Sequence, residues 1–144
     1  FEVSRFYFDA QGNPVTGGRF RAGQSYKVVL KVGCERPRHD VVVEDPLPAG
    51  LEAINPRLER TSLDVDAARD TGGRHWWWTG FNRVMMKDDR VCLFADTLTA
   101  ETHEYSYFVK AVTPGEYASF PTRAEEMYNP DIYGQTASGR VVVE

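Results

Sequence analysis

Apolar and polar residues alternate along most of this chain, and this alternation restricts it to β-structure. The clearest example is the segment 104–112, where Tyr105, Tyr107, Val109 and Ala111 fall on one face of an extended strand. No window of useful length carries the 3.6-residue apolar stripe of a helix, so we expect no helix longer than about two turns. Further strands are predicted at 2–9, 25–32, 39–44, 84–87, 90–95, 118–120 and 139–144.

Glycine, proline and aspartate mark the connections between these strands. Pro46 and Pro48 predict that the strand 39–44 leaves the sheet at Asp45, because proline cannot donate to a strand ladder. Asp88 and Asp89 indicate either a tight turn or a bulge within one longer strand. Many short strands with such turns predict an all-β fold, an antiparallel β-sandwich of about seven to nine strands. The remaining segments, 55–80 and 121–138, are predicted to be long loops.

Length and charge limit the classes of function. The 144 residues fit a single domain, 1–144. The net charge of -4 gives no basic surface, so we expect no nucleic-acid partner. No apolar run has the length of a membrane span and no signal-peptide pattern is present, so direct membrane insertion is not expected. Phe1 begins directly in strand-like sequence, which indicates a piece of a longer protein.

The two cysteines, Cys34 and Cys92, have two open interpretations. A disulfide between them would close a loop of about 58 residues and stabilise the fold by roughly 4 kcal/mol on the chain-entropy model. Alternatively, both are buried free thiols that pack as small apolar groups. Neither has a catalytic neighbourhood in the sequence.

Catalytic and metal motifs fail on inspection. His103 and Glu104 resemble the start of a zinc-protease motif, but Tyr107 occupies the position of the second histidine, and the segment is a strand. Asp64 and Asp66 resemble a calcium loop that lacks its glycine and its bidentate carboxylate. We therefore predict no catalytic residues, no metal, no cofactor and no enzymatic activity.

Three adjacent tryptophans, Trp76, Trp77 and Trp78, cannot all face one core if their segment is extended. They are predicted to be either an exposed aromatic patch that contacts glycan or another protein, or two core rings with one covered by the long loop.

The segment 121–134 places Met127, Tyr128 and Tyr133 between two prolines and a glycine. Loops that carry large amphipathic side chains often contact another molecule. The alternative is a crossing loop whose tyrosines cover the end of the sandwich.

Four segments, taken in order, resemble a known family. They are Asp-Pro-Leu-Pro-Ala-Gly-Leu-Glu-Ala-Ile-Asn-Pro at 45–56, Asp-Asp-Arg-Val-Cys-Leu-Phe-Ala-Asp at 88–96, and the segments 105–115 and 121–134. Together they are similar to the last macroglobulin-like domain of bacterial alpha-2-macroglobulins, over about residues 25–144. The Ala-Glu-Glu-Met-Tyr sequence, which ends at Tyr128, is the most specific part of the resemblance.

The resemblance implies a macroglobulin or immunoglobulin-like sandwich from the C-terminal part of a large periplasmic or envelope-anchored protease inhibitor. In that family, cleavage of a bait segment triggers a conformational change, and many members carry a Cys-x-Glu-Gln thioester. The residues after Cys34 and Cys92 do not form this motif. The resemblance also implies that the domain packs against the thioester domain, with Met127 and Tyr128 helping to keep that site closed. The alternative is an immunoglobulin-like surface or adhesin module that binds protein or glycan.

Overall fold

The computed structural model describes residues 1–54 and 80–144, and this part of the chain is entirely β-structure. Its twelve strands are β1 Glu2–Phe8, β2 Arg19–Phe20, β3 Ser25–Gly33, β4 Arg38–Pro46, β5 Leu51–Ile54, β6 Arg83–Met86, β7 Arg90–Leu98, β8 Thr102–Ala111, β9 Gly115–Ser119, β10 Arg123–Glu126, β11 Asn129–Gln135 and β12 Gly139–Val143. The predicted fold class is confirmed. The strand count exceeds the predicted seven to nine because short strands such as β2 and β10 are too brief to show an alternation. Among the described residues, no helix is long and apolar enough to cross a membrane.

The strands form three sheets. A four-stranded antiparallel sheet has the order β1-β3-β8-β5, and a five-stranded antiparallel sheet has the order β11-β10-β4-β7-β6. In the third sheet, β12 lies between β2 and β9 and runs parallel to β2.

The core lies where the two larger sheets turn their apolar faces inward. Every second residue of the central strands is buried, as the alternation predicts. On β8, Tyr107, Val109 and Ala111 are buried and Tyr105 is half-buried, which confirms the predicted inward face. The other strands contribute Val28, Leu30 and Val32 from β3, Val41 and Val43 from β4, and Val91, Leu93 and Ala95 from β7.

One local prediction is corrected by the structure, and one that had two alternatives is decided. The strand β4 continues through Asp45 to Pro46, whereas the sequence predicted an exit at Asp45. Pro46 is the last residue of the strand, where a missing N–H does not interrupt the ladder. The predicted turn at Asp88 and Asp89 does connect β6 to β7, and the amide of Lys87 donates to the carbonyl of Arg90 at 2.8 Å.

Cys34 and Cys92 are free thiols, so the disulfide alternative is wrong. Cys34 follows β3, and its sulfur donates to the carbonyl of Thr99 at 3.1 Å. Cys92 lies on β7 in the other large sheet, directly opposite Glu44 and Met85 in the two neighbouring strands. Its neighbours Val91 and Leu93 face the core, so the side chain of Cys92 lies on the outer face of the five-stranded sheet. It therefore points away from the four-stranded sheet, beside which Cys34 lies. Burial raises the pKa of the Cys92 thiol, which keeps it protonated and unreactive.

Candidate contact surface on the β10–β11 hairpin

The segment predicted to be an irregular loop is a β-hairpin. Strands β10 and β11 pair in antiparallel register, and Met127 and Tyr128 form the turn between them. The register shifts between Glu125 and Glu126, so the hairpin carries a bulge next to its turn. Pro130 is tolerated in β11 because this strand forms the edge of the five-stranded sheet.

The turn is attached to the sheet at its tip. The amide of Met127 donates to the carbonyl of Asp40 at 2.8 Å, and the amide of His39 donates to a carboxylate oxygen of Glu126 at 3.3 Å. Asp40 has φ = 52°, the left-handed backbone conformation that is uncommon for a residue other than glycine. An aspartate tolerates this conformation better than most residues, and here its carbonyl bonds to the turn.

The three residues predicted as a contact lie on this one hairpin and are exposed. Tyr128 is 85% exposed, Tyr133 51% and Met127 42%. Arg123 holds its guanidinium over the ring of Tyr133, 4.1 Å from the ring centroid, and also bonds to Glu125 at 3.4 Å. We call Met127, Tyr128 and Tyr133 the hairpin surface. The alternative in which these tyrosines cover the sandwich does not fit the exposure of Tyr128.

A buried polar cluster lies beneath the base of the hairpin, and the sequence analysis missed it. Asp45 is fully buried, and its carboxylate accepts hydrogen bonds from Arg5 Nη1 at 2.6 Å and from the Thr122 hydroxyl at 2.7 Å. The hydroxyl of Tyr107 donates to its second oxygen. The other guanidinium nitrogen of Arg5 donates to the hydroxyl of Ser119 at 2.8 Å. We call these five residues the Asp45 cluster.

A sequence signal for this cluster exists. Arg5 lies between Val3 and Tyr7, and Asp45 follows Val41 and Val43 at the same two-residue spacing. Both charged residues are therefore in phase with an inward apolar face. Since an unpaired buried charge is costly, two opposite charges at inward positions indicate a buried ion pair.

Two phenols have raised pKa values, that of Tyr107 in the cluster and that of Tyr7, which lies beside it on β1. Burial, together with the nearby carboxylate of Asp45, raises the pKa of Tyr107 well above its ordinary value. Burial also raises the pKa of Tyr7, to about 12, although the guanidinium of Arg5 opposes the shift. The Arg5 guanidinium lies 5.7 Å from the Tyr7 ring centroid. Both phenols are therefore neutral hydrogen-bonding and packing groups at physiological pH.

The other residues that the sequence singled out do not form a candidate site within the described part of the chain. Trp76, Trp77 and Trp78 lie outside the described residues. Within the described part of the chain, no group of three or more histidine, cysteine, aspartate or glutamate side chains is placed to hold a metal ion. His103, considered above as a zinc ligand, is buried, and its Nε2 lies 3.0 Å from the carbonyl of Thr99.

Comparison with known proteins places this arrangement in a family. Residues 1–131 match the family model described as the bacterial alpha-2-macroglobulin MG10 domain. The chain belongs to the bacterial alpha-2-macroglobulin family. It is 32% identical over 122 residues to an alpha-2-macroglobulin homolog of Nostoc, covering 85% of this chain and 6% of that protein. It is 31% identical over 141 residues to an alpha-2-macroglobulin of Xylella fastidiosa, covering 96% and 8%.

Solved members of the family share the fold. Salmonella alpha-2-macroglobulin reacted with methylamine matches with a TM-score of 0.80 and 28% identity, over 99% of this chain and 9% of that one. A Salmonella mutant with a tyrosine replaced by glycine matches with a TM-score of 0.80 and 27% identity, over the same shares of the two chains. A native Escherichia coli fragment from domain MG7 to the C-terminus matches with a TM-score of 0.81 and 24% identity, over 99% of this chain and 23% of the fragment. This macroglobulin domain thus spans less than a tenth of the full-length relatives it matches.

Proposed function

We propose that this chain is a non-catalytic domain of a bacterial alpha-2-macroglobulin-like protease inhibitor, and that its hairpin surface packs against the thioester domain and keeps that site closed. The observation that carries the proposal is the 85% exposure of Tyr128 on a turn whose neighbouring amide is bonded to the sheet. A large exposed aromatic on an ordered turn loses little conformational entropy when a partner covers it.

Membership of the family supports this role over the alternative of a surface or adhesin module. The resemblance of the segments at 45–56, 88–96, 105–115 and 121–134 to the last macroglobulin-like domain of the family supports a position in the C-terminal part of the parent. Within the family, solved Salmonella structures include a protein reacted with methylamine and a tyrosine-to-glycine mutant. The parent is expected to be periplasmic or envelope-anchored and to meet target proteases only as a full-length protein.

The chemistry of the hairpin surface suits this role. A thioester is lost to water, so a closed site has to be dry. The ring of Tyr128 can cover apolar surface while its hydroxyl bonds to a polar partner, and the thioether of Met127 adapts to the shape beside it. Neither side chain performs a chemical step in this role; together they exclude solvent.

The first prediction tests the contact in the full-length parent. Tyr128→Ala should raise the rate at which a thioester in the parent reacts with methylamine by at least about tenfold, as removal of an interface hot spot does. The rate is measured as thiol released per unit time. Phe6→Ala is the matched control, because Phe6 is an exposed aromatic, 45% exposed, on the other large sheet.

A second measurement does not depend on thioester chemistry. The chain 1–144, with and without Tyr128→Ala, is titrated onto the parent lacking this domain, and binding is measured by calorimetry. Weaker binding of the variant supports the contact. Equal binding together with equal methylamine rates would exclude the hairpin surface as the closing contact.

A further inference from the structure

At the base of the hairpin, the buried residue Thr122 is bonded both to the core and across the hairpin. Its hydroxyl donates to Asp45 at 2.7 Å, and its amide donates to the hydroxyl of Thr136 at 2.9 Å. The amide of Thr136 in turn donates to the carbonyl of Thr122 at 3.0 Å. Thr122 and Thr136 directly flank the hairpin strands, so these bonds close its base.

The carboxylate that receives the Thr122 hydroxyl has little freedom to move. The side chain of Asp45 is 1% exposed and that of Arg5 is 6% exposed. Arg5 and Thr122 share one carboxylate oxygen, and Tyr107 bonds to the other. A buried ion pair with its hydrogen bonds satisfied strongly favours one arrangement, because any displacement leaves a charge unpaired.

The hairpin is therefore held at both ends, at its base by Asp45 and at its tip by the carbonyl of Asp40. Both anchors belong to the single strand β4, because Asp40 and Asp45 lie five positions apart within it. The strand that runs beside β10 thus fixes both the start of the hairpin and its turn.

We propose that Asp45 and Thr122 are positioning residues for Tyr128: the buried carboxylate fixes the base of the hairpin, so that the turn meets Asp40 and presents the tyrosine in one orientation. The structural part of this inference stands on the hydrogen bonds above. Its functional part rests on the proposed contact with the thioester domain.

The experiment compares three variants of the chain 1–144 by amide hydrogen exchange. Thr122→Val keeps the shape and removes the hydroxyl, whereas Thr122→Ser keeps the hydroxyl. Thr16→Val, at an exposed threonine in the β1–β2 connection, is the matched control. Loss of the bond to the charged Asp45 should speed exchange of the Met127 and Thr136 amides by roughly tenfold or more. Amides of the β3–β8 pair should change less, and Thr122→Ser should restore slow exchange.

Equal acceleration across the hairpin and the β3–β8 pair would show that Thr122 only supports global stability, and would overturn the positioning role. Unchanged exchange at Met127 would overturn it as well. If Thr122→Val does not fold, Thr136→Val replaces it, because that change removes the acceptor of the Thr122 amide without affecting the buried charges.

Binding to the parent that lacks this domain separates the two proposals. In a double-mutant cycle, Thr122→Val should weaken binding severalfold when Tyr128 is present and have little effect with Tyr128→Ala. If Tyr128→Ala alone leaves binding unchanged, the proposed contact is wrong, while the exchange result still decides whether Thr122 positions the turn. If Thr122→Val weakens binding equally in both backgrounds, the residue does not act through Tyr128.

Discussion

At the scale of single residues, the Asp45 cluster is the feature that departs most from the alternation of this sandwich. Arg5 and Asp45 occupy inward positions that their strands otherwise give to apolar residues. Such a pair does not add much stability compared with an apolar pair of the same shape, because desolvation offsets the attraction. Its effect is directional, since a carboxylate with three donors around it fixes where each donor lies.

Removal of one charge from this pair should lower the stability of the domain much more than the intact pair raises it. Asp45→Asn leaves the buried guanidinium of Arg5 without a countercharge, so the free energy of unfolding should fall by about 3–5 kcal/mol. Urea unfolding followed by far-ultraviolet circular dichroism measures the change. Arg140→Gln is the control, because Arg140 pairs with Glu116 on the surface and such pairs contribute about 0–1 kcal/mol. Similar losses in both variants would show that Asp45 is not held as a buried charge.

At the scale of elements, the sequence predicted the strands with a clear alternation and missed the short strands β2, β5 and β10 and the edge strand β11. The strand β8 was predicted almost residue by residue, because its alternation follows the buried side. The strands β10 and β11 were assigned to a loop, because few of their side chains are buried and Pro130 interrupts the pattern. An edge hairpin of this kind obtains its order from backbone bonds to β4, and sequence periodicity does not report those bonds.

Sequence periodicity was equally uninformative about the backbone bonds that hold the hairpin surface. The residues alone left open whether Tyr128 and Tyr133 contact a partner or cover the sandwich, and the contact role of Met127 and Tyr128 came from the family resemblance. The anchoring of the turn could not be predicted from either. The bond from the Met127 amide to Asp40 depends on one positive φ angle in β4, and aspartate gives only a weak signal for that conformation.

The same tyrosine-to-alanine change at two positions should distinguish a surface tyrosine from a core tyrosine by its effect on stability. Tyr128→Ala should lower the free energy of unfolding of the chain 1–144 by less than about 1 kcal/mol, since the side chain has few contacts to lose. Tyr107→Ala should lower it by about 3–5 kcal/mol, because Tyr107 is 2% exposed and its hydroxyl bonds to Asp45. Thermal and urea melts measure both changes. A loss of several kcal/mol for Tyr128→Ala would mean that this tyrosine packs as part of the fold.

At the scale of the whole molecule, the Asp45 cluster connects all three sheets. Arg5 and Tyr107 come from the four-stranded sheet, Asp45 from the five-stranded sheet and Ser119 from the end of β9 in the third. Ionisation of the Tyr107 phenol beside the Asp45 carboxylate should therefore loosen the whole domain and not one loop. The pH dependence of stability can test this, because the phenols of Tyr7 and Tyr107 have higher pKa values in the folded chain than in the unfolded chain.

Stability should accordingly fall at alkaline pH. The pKa of Tyr7 is about 12 in the folded chain and about 10 in an unfolded one, because burial disfavours the phenolate. Between these values the unfolded chain has released a proton that the folded chain retains, so the free energy of unfolding decreases as pH rises from 10 to 12. The contribution is complete below pH 10, and the slope is about 1.4 kcal/mol per pH unit for each such tyrosine. Tyr107 shifts in the same direction and adds to this slope.

Urea unfolding at pH 7, 8.5, 10, 11 and 11.5 measures the effect, and Tyr7→Phe isolates the share of one residue. The variant keeps the ring, which packs edge-on against Phe20 at 5.1 Å between centroids, and removes the proton that titrates. Its unfolding free energy should therefore decline less steeply above pH 10 than that of the unmodified chain, while the two have similar slopes below pH 9. Parallel curves across the whole range would mean that Tyr7 is as accessible to solvent in the folded chain as in the unfolded one, and that its neighbourhood with Arg5 is open.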